Sequence, residues 1–423
     1  MLLLLTLGVP VYASIGAVGF VGYWVLEGQA KGLSIVGLVS YSRVAVYAFS
    51  VVPLFIFMGN VLFASGLGQD VYAATRRWMG RLPGGLAQAT VGASALFGAA
   101  CGSSVATAAT FAKIAIPEML RYGYAKKLAA ASVVAAGTLA VMIPPSITMV
   151  LYALITDQSI AKLLIAGILP GILNAVIYMV LISLWAKRYP QDAPRLAVPW
   201  SWTENLTALK GVWAVLAIGL VVLGGIYSGI GTPTEAGALG AFAALVLAVT
   251  GRRLPWRQFV LALVESVKTT VMIHVILLSA FIFGYFMAVT LLPQKLAALL
   301  TSLPLPPLGV LVAIMIVYIV LGAFMDMLSI MFLTVPVIFP TILALGFDPI
   351  WFGVLMVMVI EMGMVTPPFG INLFVVKGTV PDVSLNDIIA GIGPFVVAQA
   401  VTLALYIAFP QIALFLPNTM LGP

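Results

Sequence analysis

The stretch from Gly84 to Ser146 is apolar almost throughout, yet it is interrupted twice, at Gly102-Ser103-Ser104 and at Pro144-Pro145-Ser146. Between Gly84 and Pro117 the first interruption leaves two apolar arms of about 17 residues each, short of the ~20 residues that a membrane span wants. The pattern predicts a re-entrant helical hairpin that enters the membrane and turns back at its tip. In hydrocarbon an unpartnered backbone N–H or C=O costs several kcal/mol, so irregular backbone at membrane depth persists only where protein or a water-filled cavity satisfies it. Both interruptions are therefore candidate binding sites.

At 63% hydrophobic and 8% charged residues over 423 positions, with a mean hydropathy of +1.18, the chain reads as an all-α polytopic membrane protein in a lipid bilayer. No water-soluble interior hides that much apolar surface. The net charge of +7 does not point to nucleic acid, because the basic residues lie in short clusters between apolar runs rather than on one aromatic-rich face. Cys101 and His274 are the single residues of their types, which excludes an internal disulfide framework and a His-rich metal site. No phosphate-cradling loop or nucleophile triad is found, so neither enzymatic activity nor an organic cofactor is expected. The start MLLLLTLGVPVYAS lacks a basic region and reads as an uncleaved first span.

Roughly nine crossing segments are expected, near 1–26, 48–66, 124–156, 161–186, 211–229, 235–250, 260–290, 349–376 and 388–416, together with two short-armed hairpins at 84–119 and 308–343. Arg76, Arg77 and Arg81 precede the first hairpin and Arg121, Lys126 and Lys127 follow it, which puts both of its ends in the cytoplasm. Continuing the alternation places Lys187, Arg188, Arg195 and Lys210 inside, then Arg252, Arg253 and Arg257, then Lys377. Lys31, Arg43, Lys162 and Lys295 fall outside. The N-terminus is then cytoplasmic, the C-terminus periplasmic, and the second hairpin enters from outside.

The chain also repeats itself. Pro117-x-x-Leu120-x-x-Gly123-Tyr124 returns as Pro340-x-x-Leu343-x-x-Gly346-Phe347, and Pro144-Pro145 returns as Pro367-Pro368, both at an offset of 223. Ala166-Gly167-Ile168-x-Pro170 recurs as Ala390-Gly391-Ile392-x-Pro394 at offset 224, and Asp157-x-Ser159 as Asp382-x-Ser384 at offset 225. Under the charge-derived topology the copies face opposite ways, so residues 1–186 form a first repeat, 187–234 a cytoplasmic loop and connector span, and 235–423 an inverted second repeat. The broken helices fall at 124–156 and 349–376. Inverted repeats with broken helices at their interface are the architecture of secondary transporters.

At these residues the chain resembles the large membrane subunit, DctM-like, of the tripartite ATP-independent periplasmic (TRAP) transporters. The matching stretches are Pro53-Leu-Phe-Ile-Phe-Met-Gly-Asn60, Cys101-Gly-Ser-Ser104, Ile116-Pro-x-Met119, Gly123-Tyr124, Ile143-Pro-Pro-Ser146, Gly231-Thr-Pro-Thr-Glu235 and Thr366-Pro-Pro-Phe-Gly370. The resemblance implies a sodium-coupled importer of organic acids such as C4-dicarboxylates or sialic acid, in the bacterial inner membrane. It also implies an elevator mechanism, a periplasmic substrate-binding protein and a small four-helix membrane subunit as partners. Two residues depart from the pattern: Cys101 stands where the family more often has serine, and Glu361 is a carboxylate just before the second Pro-Pro break, where a neutral residue is commoner.

A half-helix that ends at mid-membrane leaves carbonyls unpaired with partial negative charge, which suits a hard cation. The first hairpin tip offers Ala99, Gly102 and Ser103, and the first broken helix offers Ala140, Ile143 and Pro145, as one sodium site. The offset of 223 gives Gly322, Met325 and Asp326 with Gly363, Thr366 and Pro368, plus the neighbouring Phe369, as the other. A Pro-Pro pair by itself equally suits a simple kink; its repetition behind two hairpins favours the ion sites. Ser103, Ser104, Ser146, Thr366 and Asn372 are candidate substrate ligands, with small-residue helix packing as the competing role. No arginine lies at either tip, so an anionic substrate must be held by helix ends and hydroxyls or left largely to a partner protein.

Among the remaining polar residues, Glu265, Lys268, Asp326 and Glu361 are ionisable at membrane depth, where such groups usually have a role. Glu265 and Lys268 have the spacing of a structural pair. His274 reads as a packing residue, Cys101 as an unreactive small residue, and Glu235 as a helix-capping carboxylate that competes with any functional role. Besides the TRAP subunit, a stand-alone sodium- or proton-coupled carboxylate carrier or antiporter of similar inverted-repeat fold fits these residues. A non-transporting scaffold does not account for helices broken twice at depth.

Overall fold

The computed structural model describes residues 4, 7–195, 201–302 and 304–421, and all regular elements among them are helical. The chain opens with α1 (Val11–Glu27), α2 (Gln29–Val39), α3 (Val51–Ala64) and the amphipathic connector α4 (Leu67–Met79). Next come α5 (Gly85–Cys101) and α6 (Ser104–Arg121), then a helix in three pieces, α7 (Lys126–Gly137), α8 (Leu139–Met142) and α9 (Ile147–Ile155). α10 (Ile160–Ala166) and α11 (Ile168–Arg188) close the first half, and α12 (Trp202–Ala208) and α13 (Trp213–Tyr227) lead into the second. There α14 (Pro233–Thr250), α15 (Trp256–Thr290) and the connector α16 (Leu292–Thr301) precede α17 (Pro307–Phe324) and α18 (Met327–Ala344). The chain ends with α19 (Pro349–Met364), α20 (Ile371–Thr379), α21 (Leu385–Ala408) and α22 (Gln411–Leu421).

Several helix boundaries return at the spacing seen in the sequence. α6 and α18 are each 18 residues long and displaced by 223 positions. The Pro144–Pro145 and Pro367–Pro368 bonds are both cis, and Gly123 and Gly346, at φ 80° and 78°, turn the chain after α6 and α18. These two glycines sit in the left-handed region that a side chain disfavours.

Among the described residues seven helices are long and apolar enough to cross a membrane, or nine if the bent pairs 126–155 and 202–227 each count as one span. Some expected spans change. The segment 388–416 is not continuous: α21 stops at Ala408, and Pro410, which has no N–H to donate, separates it from α22. The connector expected at 211–229 has a 15-residue helix, α13, bent by 55° against the segment before it. The second hairpin covers 307–344 against the expected 308–343, with arms α17 and α18 of 18 residues each, the length of α6 and one more than α5. The first span is α1 with 17 residues; residues 1–3, 5 and 6 lie outside the described residues.

Burial separates an inner from an outer set of helices. Residues 128–137 of α7 and 350–361 of α19 are all buried, so these helices are covered on every side and form the centre of the bundle. By contrast Leu220 on α13, Phe242 on α14 and Val267 on α15 are 74%, 66% and 55% exposed. Apolar residues on such an outer face meet lipid in a bilayer. α15 has 35 residues, about 52 Å at 1.5 Å per residue, which exceeds the ~30 Å hydrocarbon core and calls for tilt or protrusion.

The two halves interlock. α5 packs on α8 and α17 on α19, within each half; α6 packs on α20 and α9 on α18, across the halves. α7 likewise packs on α21 and α10 on α19. Close approach at the first two crossings depends on small residues: a methyl group on Gly98 would lie 2.4 Å from the Ala140 Cα, and one on Gly322 would lie 2.9 Å from the Gly363 Cα.

Candidate functional site

At the first tip Gly102, at φ 66°, closes α5 by donating its N–H to the Gly98 carbonyl at 2.8 Å, and extended Ser103 restarts the chain as the cap of α6. The Ala106 N–H donates to the Ser103 hydroxyl at 3.3 Å. The second tip does the same with different residues: extended Met325 donates to Leu321 at 2.9 Å, and the Asp326 carboxylate accepts from the Ser329 N–H at 3.0 Å. Asp326 is thus a helix cap as well as a tip residue. Ser146 caps α9 in the same way, accepting from the Met149 N–H at 3.3 Å.

Each tip meets the broken helix of its own half. A methyl on Gly102 would lie 2.9 Å from the Pro145 carbonyl oxygen, and the rings of Phe324 and Phe369 stack at 5.2 Å. No backbone N–H among the described residues donates to the carbonyls of Ala99, Gly102, Ala140, Ile143 or Pro145; that of Ser103 accepts from Thr107 at 3.1 Å. In the second half the carbonyls of Gly322, Met325, Pro368 and Phe369 are likewise without a backbone donor. Those of Asp326, Gly363 and Thr366 accept from Ile330, Thr366 and Gly370 at 3.1, 3.0 and 3.2 Å. Oxygens with open lone pairs at helix ends are what a hard cation coordinates.

The two tips share one cavity of about 390 Å³, walled by Ser103, Ser104 and Val105 from the first tip and by Asp326 and Met327 from the second. Asn60 of α3 and Thr269 and Met272 of α15 form its opposite side. Of the candidate substrate ligands, only Ser103 and Ser104 line this cavity. Ser146 is fully buried, the Thr366 hydroxyl is turned to the Met362 carbonyl at 2.6 Å, and the fully buried Asn372 amide makes no hydrogen bond among the described residues. The sequence reading missed Asn60, whose amide donates to the Ser266 hydroxyl at 2.9 Å and ties α3 to α15. It missed Thr148 as well, which donates to the Met327 sulfur at 3.1 Å and joins α9 to α18. A lone amide in an apolar helix was the available signal for Asn60.

The other polar residues take structural places. Glu235 and Thr232 form a capping box, with the Thr232 N–H donating to the carboxylate at 2.7 Å. Lys268 pairs with Glu265 at 2.8 Å on an exposed face of α15, His274 sits 2.8 Å from the Thr270 carbonyl, and Cys101 is buried and free. At the end carrying the basic clusters, Lys127 pairs with Asp192 at 2.9 Å and Arg76 pairs with Glu118.

A helical bundle with two broken helices behind a cavity shared by the two hairpin tips is the build of a multi-pass membrane transporter. The sequence profile of the family described as tripartite ATP-independent periplasmic transporter, DctM component, matches residues 1–412, and the chain belongs to that family as a TRAP large permease. It is 37% identical to the C4-dicarboxylate TRAP transporter large permease protein DctM of Pseudomonas aeruginosa, over 88% of this chain and 86% of that one. It is 31% identical to the sialic acid TRAP transporter large permease protein SiaM of Vibrio cholerae, over 88% and 86%. The ectoine/5-hydroxyectoine large permease UehC of Ruegeria pomeroyi is 30% identical over 98% and 96%. Among solved structures, the YdaH transporter of Alcanivorax borkumensis shares the fold with a TM-score of 0.64 at 16% identity, covering 91% of this chain and 90% of that one.

Proposed function

We propose that this chain is the translocating subunit of a sodium-coupled importer of an organic acid, working as an elevator in the bacterial inner membrane. The observation that carries the reading is the single cavity shared by both hairpin tips, flanked by helix-end carbonyls with no backbone donor. Sodium would be held by helix-end oxygens, with Ala99, Gly102, Ser103, Ala140, Ile143 and Pro145 on one side and Gly322, Met325, Asp326, Gly363, Thr366 and Phe369 on the other; Ser103, Asp326, Gly363 and Thr366, whose carbonyls already accept a backbone N–H, would use the second lone pair or a side-chain oxygen. The substrate carboxylate would meet the Ser103 and Ser104 hydroxyls and the head of α6, where backbone N–H groups favour an anion. A site without a fixed arginine suits a substrate handed over by a periplasmic binding protein, with the small membrane subunit against the outer helices. C4-dicarboxylates, sialic acid and ectoines, the compounds named for the relatives, are the first to test.

Reconstitution in liposomes with both partners tests the coupling. Uptake of the best compound from that panel is expected to fall to background when external sodium is replaced by choline and to persist with a protonophore. Persistence without sodium, together with collapse under the protonophore, would move the coupling to protons.

The charge pattern predicts that the turns after α6 and α18 lie on opposite sides of the membrane, with the N-terminus cytoplasmic and the C-terminus periplasmic. In a Cys101→Ser background, Phe347→Cys is expected to react with a membrane-impermeant maleimide in intact spheroplasts, and Tyr122→Cys only after lysis. Labelling of both from one side would refute the inverted repeat.

A further inference from the structure

Glu361 lies on α19, three residues before the helix ends. Its side chain is fully buried, and neither carboxylate oxygen has a hydrogen-bond partner among the described residues. The ion pairs involve other acids, and none reaches this one. Met364, one turn on along the same face of α19, lines the cavity between the tips, and the Ser104 side chain at the head of α6 lies near the carboxylate. Ser104 also lines the cavity between the tips, so the carboxylate stands directly behind the cavity wall.

On its α17 side Glu361 is walled in. α17 crosses α19 at this turn, where a methyl on Gly322 would lie 2.6 Å from the Ile360 carbonyl oxygen. The ionisable groups of the neighbouring helices bond elsewhere: Tyr178, the one that senses the Glu361 charge, with Gln399, Tyr318 with Thr334, Tyr152 with Pro349, Tyr406 with Pro170, Asp326 with Ser329 and Lys377 with Pro381. A carboxylate removed from water with no partner carries a penalty of several kcal/mol, and a small cation beside it removes that penalty while using both open oxygens.

We propose that Glu361 and Ser104 form a further binding site for a monovalent alkali cation of the sodium class, reached from the cavity and distinct from the two backbone-carbonyl sites. The proposal deepens the sodium-coupling reading and rests on its assumption that the cavity admits sodium. A carboxylate site differs from the carbonyl sites in one testable respect, because replacing the acid by its neutral amide removes the charge and keeps the shape.

Equilibrium binding of radioactive sodium to the purified full chain, at constant ionic strength with choline, counts the ions without any need for the substrate. The wild type is expected to bind one more sodium ion per chain than Glu361→Gln, with Glu361→Asp retaining the extra ion. Ser104→Ala is expected to weaken the last sodium to bind by about tenfold or more, which tests the site even where the amide variant fails to fold. Equal stoichiometry in wild type and Glu361→Gln, or an unchanged isotherm in Ser104→Ala, overturns the proposal. If instead the carbonyl sites bind no sodium, wild type binds a single ion and Glu361→Gln none, which separates failure of that reading from failure of this one.

Discussion

Tying the first hairpin tip to α15 by a crosslink between Val105→Cys and Met272→Cys, in a Cys101→Ser background, is expected to abolish uptake, with recovery on reduction. Both residues line the cavity, one from α6 and the other from α15. Val105 belongs to the set of helices that interlock across the halves through the α6–α20 and α9–α18 contacts. Met272 belongs to α15, which packs along α1 and α3. In an elevator the first set moves as a body against the second, as alternating access in inverted-repeat transporters largely does. A covalent tie across the cavity stops that displacement and leaves each body intact. The control lies within the moving set and off the cavity wall: Tyr152 of α9 and Phe339 of α18 pack ring to ring at 6.3 Å, and a bismaleimide crosslink between cysteines at these positions should leave most of the uptake in place. Full activity of the tip-to-α15 crosslinked form would show that the hairpins gate without sliding.

Gly363→Val is expected to be strongly destabilising and to abolish transport. A methyl on Gly363 would lie 2.5 Å from the Ile319 carbonyl oxygen and 2.7 Å from the Gly322 Cα. Those atoms are backbone, so no rotamer change relieves the overlap, and α17 and α19 must separate. Overpacking a filled interior typically costs ~1–3 kcal/mol, and a backbone-on-backbone clash belongs at or above the top of that range. α19 is the central buried helix, so the separation also pulls the second Pro-Pro break from its tip. The measurements are the melting temperature of purified protein and uptake in liposomes, both of which should fall sharply. Gly393→Val on α21, where nothing lies within 4 Å of the added carbon, should behave almost as wild type. A Gly363→Val protein that melts and transports normally would mean that the α17–α19 crossing is looser than the structure shows.

How far the fold was legible depends on which contacts set each feature. Hairpin tips, Pro-Pro breaks and the recurring Pro-x-x-Leu-x-x-Gly turns are local. Glycine at Gly102 and Gly123, the missing proline N–H and the cap oxygens of Ser103, Ser146 and Asp326 act within four residues of where they stand, so sequence alone places them. The charge clusters are local too, as is the Glu235 capping box. Helix continuity was read less well. The segment 388–416 looks uninterrupted by hydropathy, yet Pro410 divides it, because hydropathy averages over a single missing donor.

The sequence by itself determined a multi-pass helical chain with a duplicated order of elements, two broken helices and no catalytic constellation, since composition, period and proline positions control those features directly. Only the tertiary structure decided which polar groups share a space. Ser146 and Thr366 carry the same hydroxyl as Ser103 and Ser104, and Asn372 carries an amide, but none of the three lines the cavity. Asn60, Thr269 and Met272 enter its wall from helices far along the chain. Glu361 was visible as an unusual acid, but its isolation depends on long-range packing: α17 crosses α19 through Gly322 and Gly363, 41 positions apart, and Ser104 reaches its neighbourhood from 257 positions away.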